Sequence, residues 1–337
     1  MSPGPSPFRI FLTGGTGFIG SQLAIQAVRA GHHVTVASPV NNDAEKFRCD
    51  LLQRSGISIV EAALEDLPRL RSALGGHDAV IHLAAAQHET AAPESYFRKV
   101  NVEGTRNLVT LAVEEGVRRF VHGSTIGVYG DARSGVLDEQ SPICPDNSYG
   151  RSKAEAETVV REFANRLEVT VVRISETYGP ADLRLLKLFR AIKRGHFVTL
   201  GTGLNERQLI YVEDLCHALI AAARAPAAAG QTMILAGSER ITTDEMVASI
   251  GAAVGKRPSS RHMPLWPFNV AARMCETVLP PLGIKPPLHS RRLDFFRKSF
   301  RFSTEHARRL LDFQPRVLFS EGAQRTATWY RETGLLS

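Results

Sequence analysis

The stretch Thr13-Gly14-Gly15-Thr16-Gly17-Phe18-Ile19-Gly20 decides the fold. It follows a short apolar run, Phe8–Thr13, that reads as a strand, and it opens a segment, Phe18–Ala30, whose apolar residues recur mostly at helical spacing. Between a strand and a helix, each glycine has a separate task. Gly14 permits the tight turn, Gly17 lets backbone approach a pyrophosphate with no Cβ in the way, and Gly20 allows close packing of helix on strand. The helix start then offers unpaired N–H groups to phosphate. A glycine triplet alone also fits an ordinary tight turn, but the strand before it and the helix after it favour a dinucleotide-binding loop.

Working outward, strand-like runs at His33–Ser38, Ile57–Glu61, Ala79–Leu83, Phe120–Ser124 and Val169–Ile174 alternate with helical stretches near 43–55, 67–74, 95–115 and 149–167. Short apolar strands alternating with helices predict an α/β Rossmann fold, a doubly wound parallel sheet covered on both faces. After Pro180 the alternation lapses. Helices are expected at Leu183–Arg194, Glu213–Arg224, 242–254, 266–278, 304–311 and 319–333, with strands at Gln208–Val212 and Thr232–Leu235. The expected organisation is a nucleotide-binding domain over 1–175, rejoined by 211–236. A smaller, mostly helical C-terminal substrate domain comprises 176–210 and 237–337.

Hydrophobic content of 43% and charged content of 22% fit a soluble globular chain. The net charge of +7 admits an anionic partner, yet no zinc-finger spacing or RNA-binding aromatic signature is present, so nucleic acid is not expected. The four cysteines form no Cys-x-x-Cys pair, which argues against a disulfide framework or a metal site and suits a reducing compartment. The opening Met-Ser-Pro-Gly-Pro-Ser-Pro lacks the basic start and apolar stretch of a signal peptide and reads as a frayed tail. No apolar run is of membrane-spanning length. A cytoplasmic location is expected.

Tyr149 and Lys153 stand four residues apart on a predicted helix, so both side chains emerge on one face. A phenol with a reference pKa of about 10 is a poor base at neutral pH. A neighbouring ammonium favours the phenolate. The pair therefore suits proton exchange with a substrate oxygen while hydride moves to or from a nicotinamide whose ribose Lys153 holds. A surface Tyr and Lys on an amphipathic helix is the competing reading.

The glycine loop, together with Ile81-His82-Leu83-Ala84-Ala85, Asn101-Val102-Glu103-Gly104-Thr105, Tyr149-Gly150-Arg151-Ser152-Lys153, Tyr178-Gly179-Pro180 and Tyr211-Val212-Glu213-Asp214, resembles the extended short-chain dehydrogenase/reductase family over nearly the whole chain. That family includes nucleotide-sugar epimerases and 3β-hydroxysteroid dehydrogenases. The resemblance implies cofactor contacts from Gly14, Gly17, Phe18, Ile19 and Gly20, from Ser38 at the end of the second strand, from Leu64, from Ala84 and Ala85, and from Tyr149 and Lys153. It implies Thr125 as the catalytic hydroxyl, counted back four residues from Tyr129, with Ser124 as fallback. Asn101 resembles a buried Asn that steadies the site, with helix capping as its alternative. Relatives also suggest a homodimer through the helices near 95–115 and 149–167.

Cofactor choice is written less plainly. An acidic residue after the second strand would select NAD, but Ser38-Pro39 stands there. No basic selector follows directly, although Lys46 and Arg48 are near, and Ala63 replaces an Asp that resembles an adenine contact. NAD or NADP is expected, with a slight lean to NADP.

For the substrate, Ile126-Gly127 occupies the place where sugar-nucleotide dehydratases carry Asp-Glu, which disfavours elimination of water. Arg207 matches an arginine that clamps a diphosphate. Glu176 replaces the Asn of many such enzymes and would repel a diphosphate unless paired. The reading is thus an epimerase or oxidoreductase on a secondary alcohol or ketone, foremost of a nucleotide sugar. The alternative is a hydroxysteroid- or dihydroflavonol-type dehydrogenase on an apolar substrate, suggested by the apolar segments Met263–Phe268 and Val278–Leu282. A non-catalytic dinucleotide sensor is the reading from a different class.

Overall fold

The structure, a computed structural model, describes residues 7–87, 92–131, 135–257, 261–279, 284 and 290–336, without the side chains of 290–292. The terminal residues 1–6 and residues 280–282 of the second apolar segment lie outside the described residues.

Seven strands, β1 (Arg9–Thr13), β2 (His33–Ala37), β3 (Ser58–Val60), β4 (Ala79–His82), β5 (Arg119–Thr125), β6 (Glu168–Ile174) and β7 (Thr232–Leu235), form one all-parallel sheet in the order β7-β6-β5-β4-β1-β2-β3. The strands carry apolar residues on both faces because successive side chains enter opposite cores. In β1, Ile10 and Leu12 join the core beneath α1 (Phe18–Arg29), while Phe11 joins the core on the other face. Val80 of β4 and Phe120 of β5 make the same division against Ile81 and Val121. The helices α2 (Asp43–Arg54), α3 (Leu67–Leu74), α4 (Glu94–Arg98), α5 (Gly104–Glu114) and α6 (Ser148–Arg161) provide the crossovers. This is the doubly wound Rossmann fold expected from the alternation.

The helix expected over 95–115 carries a π-helical turn, Lys99–Glu103, between α4 and α5. Periodicity alone does not reveal such a turn, which contains Asn101.

Beyond β6 follow α7 (Leu186–Lys193), α8 (Val212–Arg224), α9 (Thr243–Ala253), α10 (Trp266–Val278), α11 (Ser290–Arg297), α12 (Glu305–Leu311) and α13 (Phe319–Glu332). The strand expected at Gln208–Val212 shrinks to Ile210–Tyr211, because Val212 already starts α8. Three two-stranded pairings, Thr177–Tyr178 with Ile210–Tyr211, Glu206–Arg207 with Ile241–Thr242, and Thr199–Leu200 with His262–Met263, stitch this lobe together. Its own core gathers Tyr178, Phe189, Met246, Ile250, Phe319 and Tyr330. Ala307 of α12 and Phe313 instead pack into the core of the main sheet.

Candidate active site

The carboxyl ends of β1, β4, β5 and β6 open into one cleft of about 560 Å³. Gly14, Gly17, Phe18, Ile19 and Gly20 line it from one side, and Ser124, Thr125, Tyr149 and Glu176 from the other. This is the crevice where open α/β sheets bind ligands.

The glycines behave as their spacing demands. Gly14 has φ +73°, and a Cβ there would meet the backbone of Ala84 at 2.6 Å. A Cβ on Gly20 would sit 2.2 Å from the Gly14 carbonyl oxygen. Gly17 provides no side chain to cap α1, which leaves the first-turn N–H groups to a ligand. Beneath the loop, the Thr13 hydroxyl donates to His82 Nδ1 at 2.7 Å, and His82 Nε2 donates to Thr105 at 2.9 Å. Burial brings the His82 pKa down to about 3, so the ring stays neutral.

Asn147 caps α6 by accepting from the Gly150 N–H at 2.9 Å, which sets Tyr149 in the first turn at the cleft wall. Asn101 is not a cap. Its side chain accepts from the Ala86 N–H at 2.8 Å and donates to the Ala86 carbonyl at 3.0 Å and to Ser152 at 2.9 Å. It thereby ties the loop after β4 to α6 from inside the π turn.

Lys153 lies one turn below Tyr149 and is only 2% exposed. Its Nζ stands 3.2 Å from His122 Nε2. Burial lowers the Lys153 pKa to about 8, with Glu157 opposing the shift, and burial likewise holds His122 well below the ordinary histidine range. One turn further, the fully buried Glu157 accepts from Ser124 at 2.6 Å and from Arg173 at 2.9 and 3.1 Å. Burial pushes the Glu157 pKa up, but hydrogen bonds from Arg173, Ser124 and Arg161 outweigh it and hold the carboxyl below its usual value.

These contacts separate the two candidate hydroxyls. The Ser124 proton is committed to Glu157. Thr125 Oγ1 accepts from the Gly127 N–H at 3.1 Å, which leaves its own proton for a substrate oxygen.

Five expected contacts are not at the cleft wall in this structure: Lys153, buried against His122, and Ser38, Leu64, Ala84 and Arg207. The Ser38 hydroxyl lies 2.6 Å from that of Thr16, and Leu64 packs against Gly104. Ala84 backs onto Gly14, while Leu83 and Ala85 line the cleft. Arg207 is buried: its guanidinium grips Glu176 at 2.5 and 2.6 Å and stacks 4.2 Å over the Phe295 ring. Glu176 is thus paired, as a carboxylate near a diphosphate must be. Sequence reasoning assigned no role to His122, Glu157, Asp182 or Arg184. Nor did it place Arg48 in the cleft wall, where the guanidinium reaches the Thr16 carbonyl at 3.3 Å and the Ala181 carbonyl at 3.5 Å.

Removing Glu157 would leave Arg173 buried without its counterion. Glu157→Ala is expected to cost about 3–5 kcal/mol, read as a fall in the calorimetric midpoint. Since the folded carboxyl pKa is depressed, its contribution is full above the unfolded value and fades as pH falls through the folded one. The gap between wild type and variant should therefore narrow in acid. A constant gap would contradict the assignment.

Fold and cleft together define a dinucleotide-binding oxidoreductase of the extended short-chain type. A sequence model of the NAD dependent epimerase/dehydratase family matches residues 10–236, and the chain belongs to that family. It is 30% identical to a dTDP-glucose 4,6-dehydratase of Streptomyces niveus, over 96% of this chain and 93% of that one. It is 26% identical to a UDP-glucose 4-epimerase of Vibrio cholerae, over 95% of both. Among solved structures, a dTDP-glucose 4,6-dehydratase from Streptomyces venezuelae with NAD and TYD bound superposes with a TM-score of 0.75 at 28% identity, covering 96% of this chain and 97% of that one. No helix among the described residues is long and apolar enough to cross a membrane.

Proposed function

We propose that this protein oxidises a secondary alcohol of a nucleotide sugar or reduces the corresponding ketone, as an epimerase or one-way oxidoreductase, with Tyr149 as acid and base. The observation that carries the reading is the single cleft uniting the glycine cradle with Tyr149 and Thr125. The cradle fits a dinucleotide, because side chains at Gly14 or Gly20 would collide with backbone. A nicotinamide dinucleotide held there supplies the hydride acceptor and donor. Tyr149 takes the hydroxyl proton as the carbinol is oxidised and returns it on reduction, while Thr125 donates to the same oxygen. Lys153 provides the positive charge beneath Tyr149. The cleft carboxylates Glu45, Glu176 and Asp182 are on other segments than the Ile126-Gly127 position, so water elimination is disfavoured. The test is turnover of UDP- and dTDP-sugars, and failure on the whole panel refutes the reading.

For the cofactor we propose NADP. No acid stands at the end of β2, and Arg48 lies at the cleft wall against the Thr16 carbonyl, where a 2′-phosphate would find a cation. Arg48→Ala should weaken NADP binding about 10-fold or more and leave NAD nearly unchanged by calorimetric titration. Equal loss for both would remove Arg48 as the selector. The proposed assembly is a homodimer through α5 and α6, checked by light scattering.

The Arg207–Glu176 pair favours a second reading, an apolar alcohol or ketone, because it removes a free guanidinium from the cleft. The two readings part on Arg207→Ala. A nucleotide-sugar enzyme should lose substrate affinity about 10-fold or more with cofactor affinity intact, whereas unchanged substrate affinity selects the apolar reading.

A further inference from the structure

His122 lies in β5 three residues before Thr125, fully buried, and its Nε2 stands 3.2 Å from Lys153 Nζ. An ammonium has three donors and no acceptor, so the contact requires a lone pair on Nε2. The proton of the neutral ring must then sit on Nδ1. That atom is buried without a hydrogen-bond partner among the described residues. A buried donor left unpaired is costly, so Nδ1 is not what selects this tautomer. Lys153 selects it.

The charged and titratable groups around this pair are Glu157 and Arg161 on α6, His82 on β4 and Arg173 on β6. Each is engaged elsewhere. Glu157 accepts from Ser124, Arg161 and Arg173, and the two nitrogens of His82 meet Thr13 and Thr105. His122 Nε2 is therefore the acceptor that the Lys153 ammonium has among the described residues. Burial, with the Lys153 charge beside it, keeps a second proton off the His122 ring and so preserves that lone pair.

We propose that His122 is a positioning residue for the reaction, its Nε2 accepting from Nζ and so fixing the Lys153 ammonium one turn below Tyr149. A hydrogen bond to the charged form of a group favours that form, so His122 holds a proton on Lys153 against the cost of burial. A charged Lys153 in turn favours the Tyr149 phenolate. The strand that carries Thr125 thereby also sets the charge that tunes Tyr149. This role rests on Tyr149 acting as acid and base; the contact itself does not.

The test combines a pH profile with a reading of the ring itself. His122→Phe keeps a ring in the site but removes the acceptor, and His122→Gln returns an acceptor near the place of Nε2. Without the acceptor Lys153 loses its proton at lower pH. The alkaline limb of kcat for UDP- or dTDP-sugars should therefore move down by about one unit or more in His122→Phe, with the sugar KM within about twofold. His122→Gln should bring the limb back. A limb that stays in place overturns the proposal whatever happens to kcat, because damaged packing lowers a rate without moving its limb. Nitrogen NMR of histidine-labelled wild type reads the contact without turnover, the His122 signals being those missing from His122→Gln. They should show Nδ1 protonated and Nε2 bare, and Nε2 should shift in Lys153→Met. A ring protonated at Nε2, or one indifferent to Lys153→Met, also overturns the proposal. An inactive wild type would overturn the catalytic reading and the role with it, and the expected signals would then show that the contact is not what failed.

Discussion

Tyr149→Phe should lower kcat by about 10²–10⁴-fold, the range for loss of a positioned acid and base, and leave cofactor affinity within about twofold, since the ring keeps its place in the capped first turn of α6. A sensor that merely reports dinucleotide binding would show no such split. Stopped-flow turnover beside calorimetric titration makes the comparison. Loss of both properties together would mean that the phenol holds the cleft's shape and not its chemistry.

Lys153→Met should abolish turnover and at the same time stabilise the free protein. Burial lowers the Lys153 pKa from 10.5 to about 8, so between those values the unfolded chain binds more protons than the folded one. Stability must then rise with pH through that window, and below about pH 8 the buried ammonium is a standing cost. A shift of this size corresponds to roughly 3 kcal/mol, and it is what remains of the burial cost after the charge of Glu157 has opposed it. Replacing the ammonium by an isosteric thioether should therefore gain about 1–3 kcal/mol at neutral pH and flatten the alkaline rise. Urea midpoints across the pH range measure both effects. A less stable variant would show that the Lys153–His122 contact stabilises the fold more than desolvation costs it.

The sequence made the sheet legible because each strand has apolar residues on both faces and each glycine of the first turn has a steric duty. Most ends shifted by only a residue or two, as where Val212 left its strand for α8, but the helix expected over 149–167 stops at Arg161 and the one expected from Leu183 starts at Leu186. The pairing of side chains was not legible. Ser124 meets Glu157, Lys153 meets His122, and Glu176 meets Arg207, across separations of 31 to 33 residues that no local periodicity encodes. The choice between Thr125 and Ser124 depended on which hydroxyl was already engaged, a fact of packing. The partners of Asn101 in the π turn were hidden for a related reason, since Ala86 and Ser152 are on other elements. Arg48 was visible only as a nearby charge until α2 brought it to the cleft wall.

The proposal at the centre is that hydride leaves a substrate carbinol, or reaches the corresponding ketone carbon, in the cleft shared by Gly14, Gly17, Thr125 and Tyr149. Its most direct test is a single turnover with a sugar nucleotide deuterated at the reacting carbinol, quenched and followed by mass spectrometry of the bound dinucleotide. The account predicts deuterium in the nicotinamide ring with the wild type and none with Tyr149→Phe. Conversion of the sugar with no deuterium ever reaching the dinucleotide would contradict it.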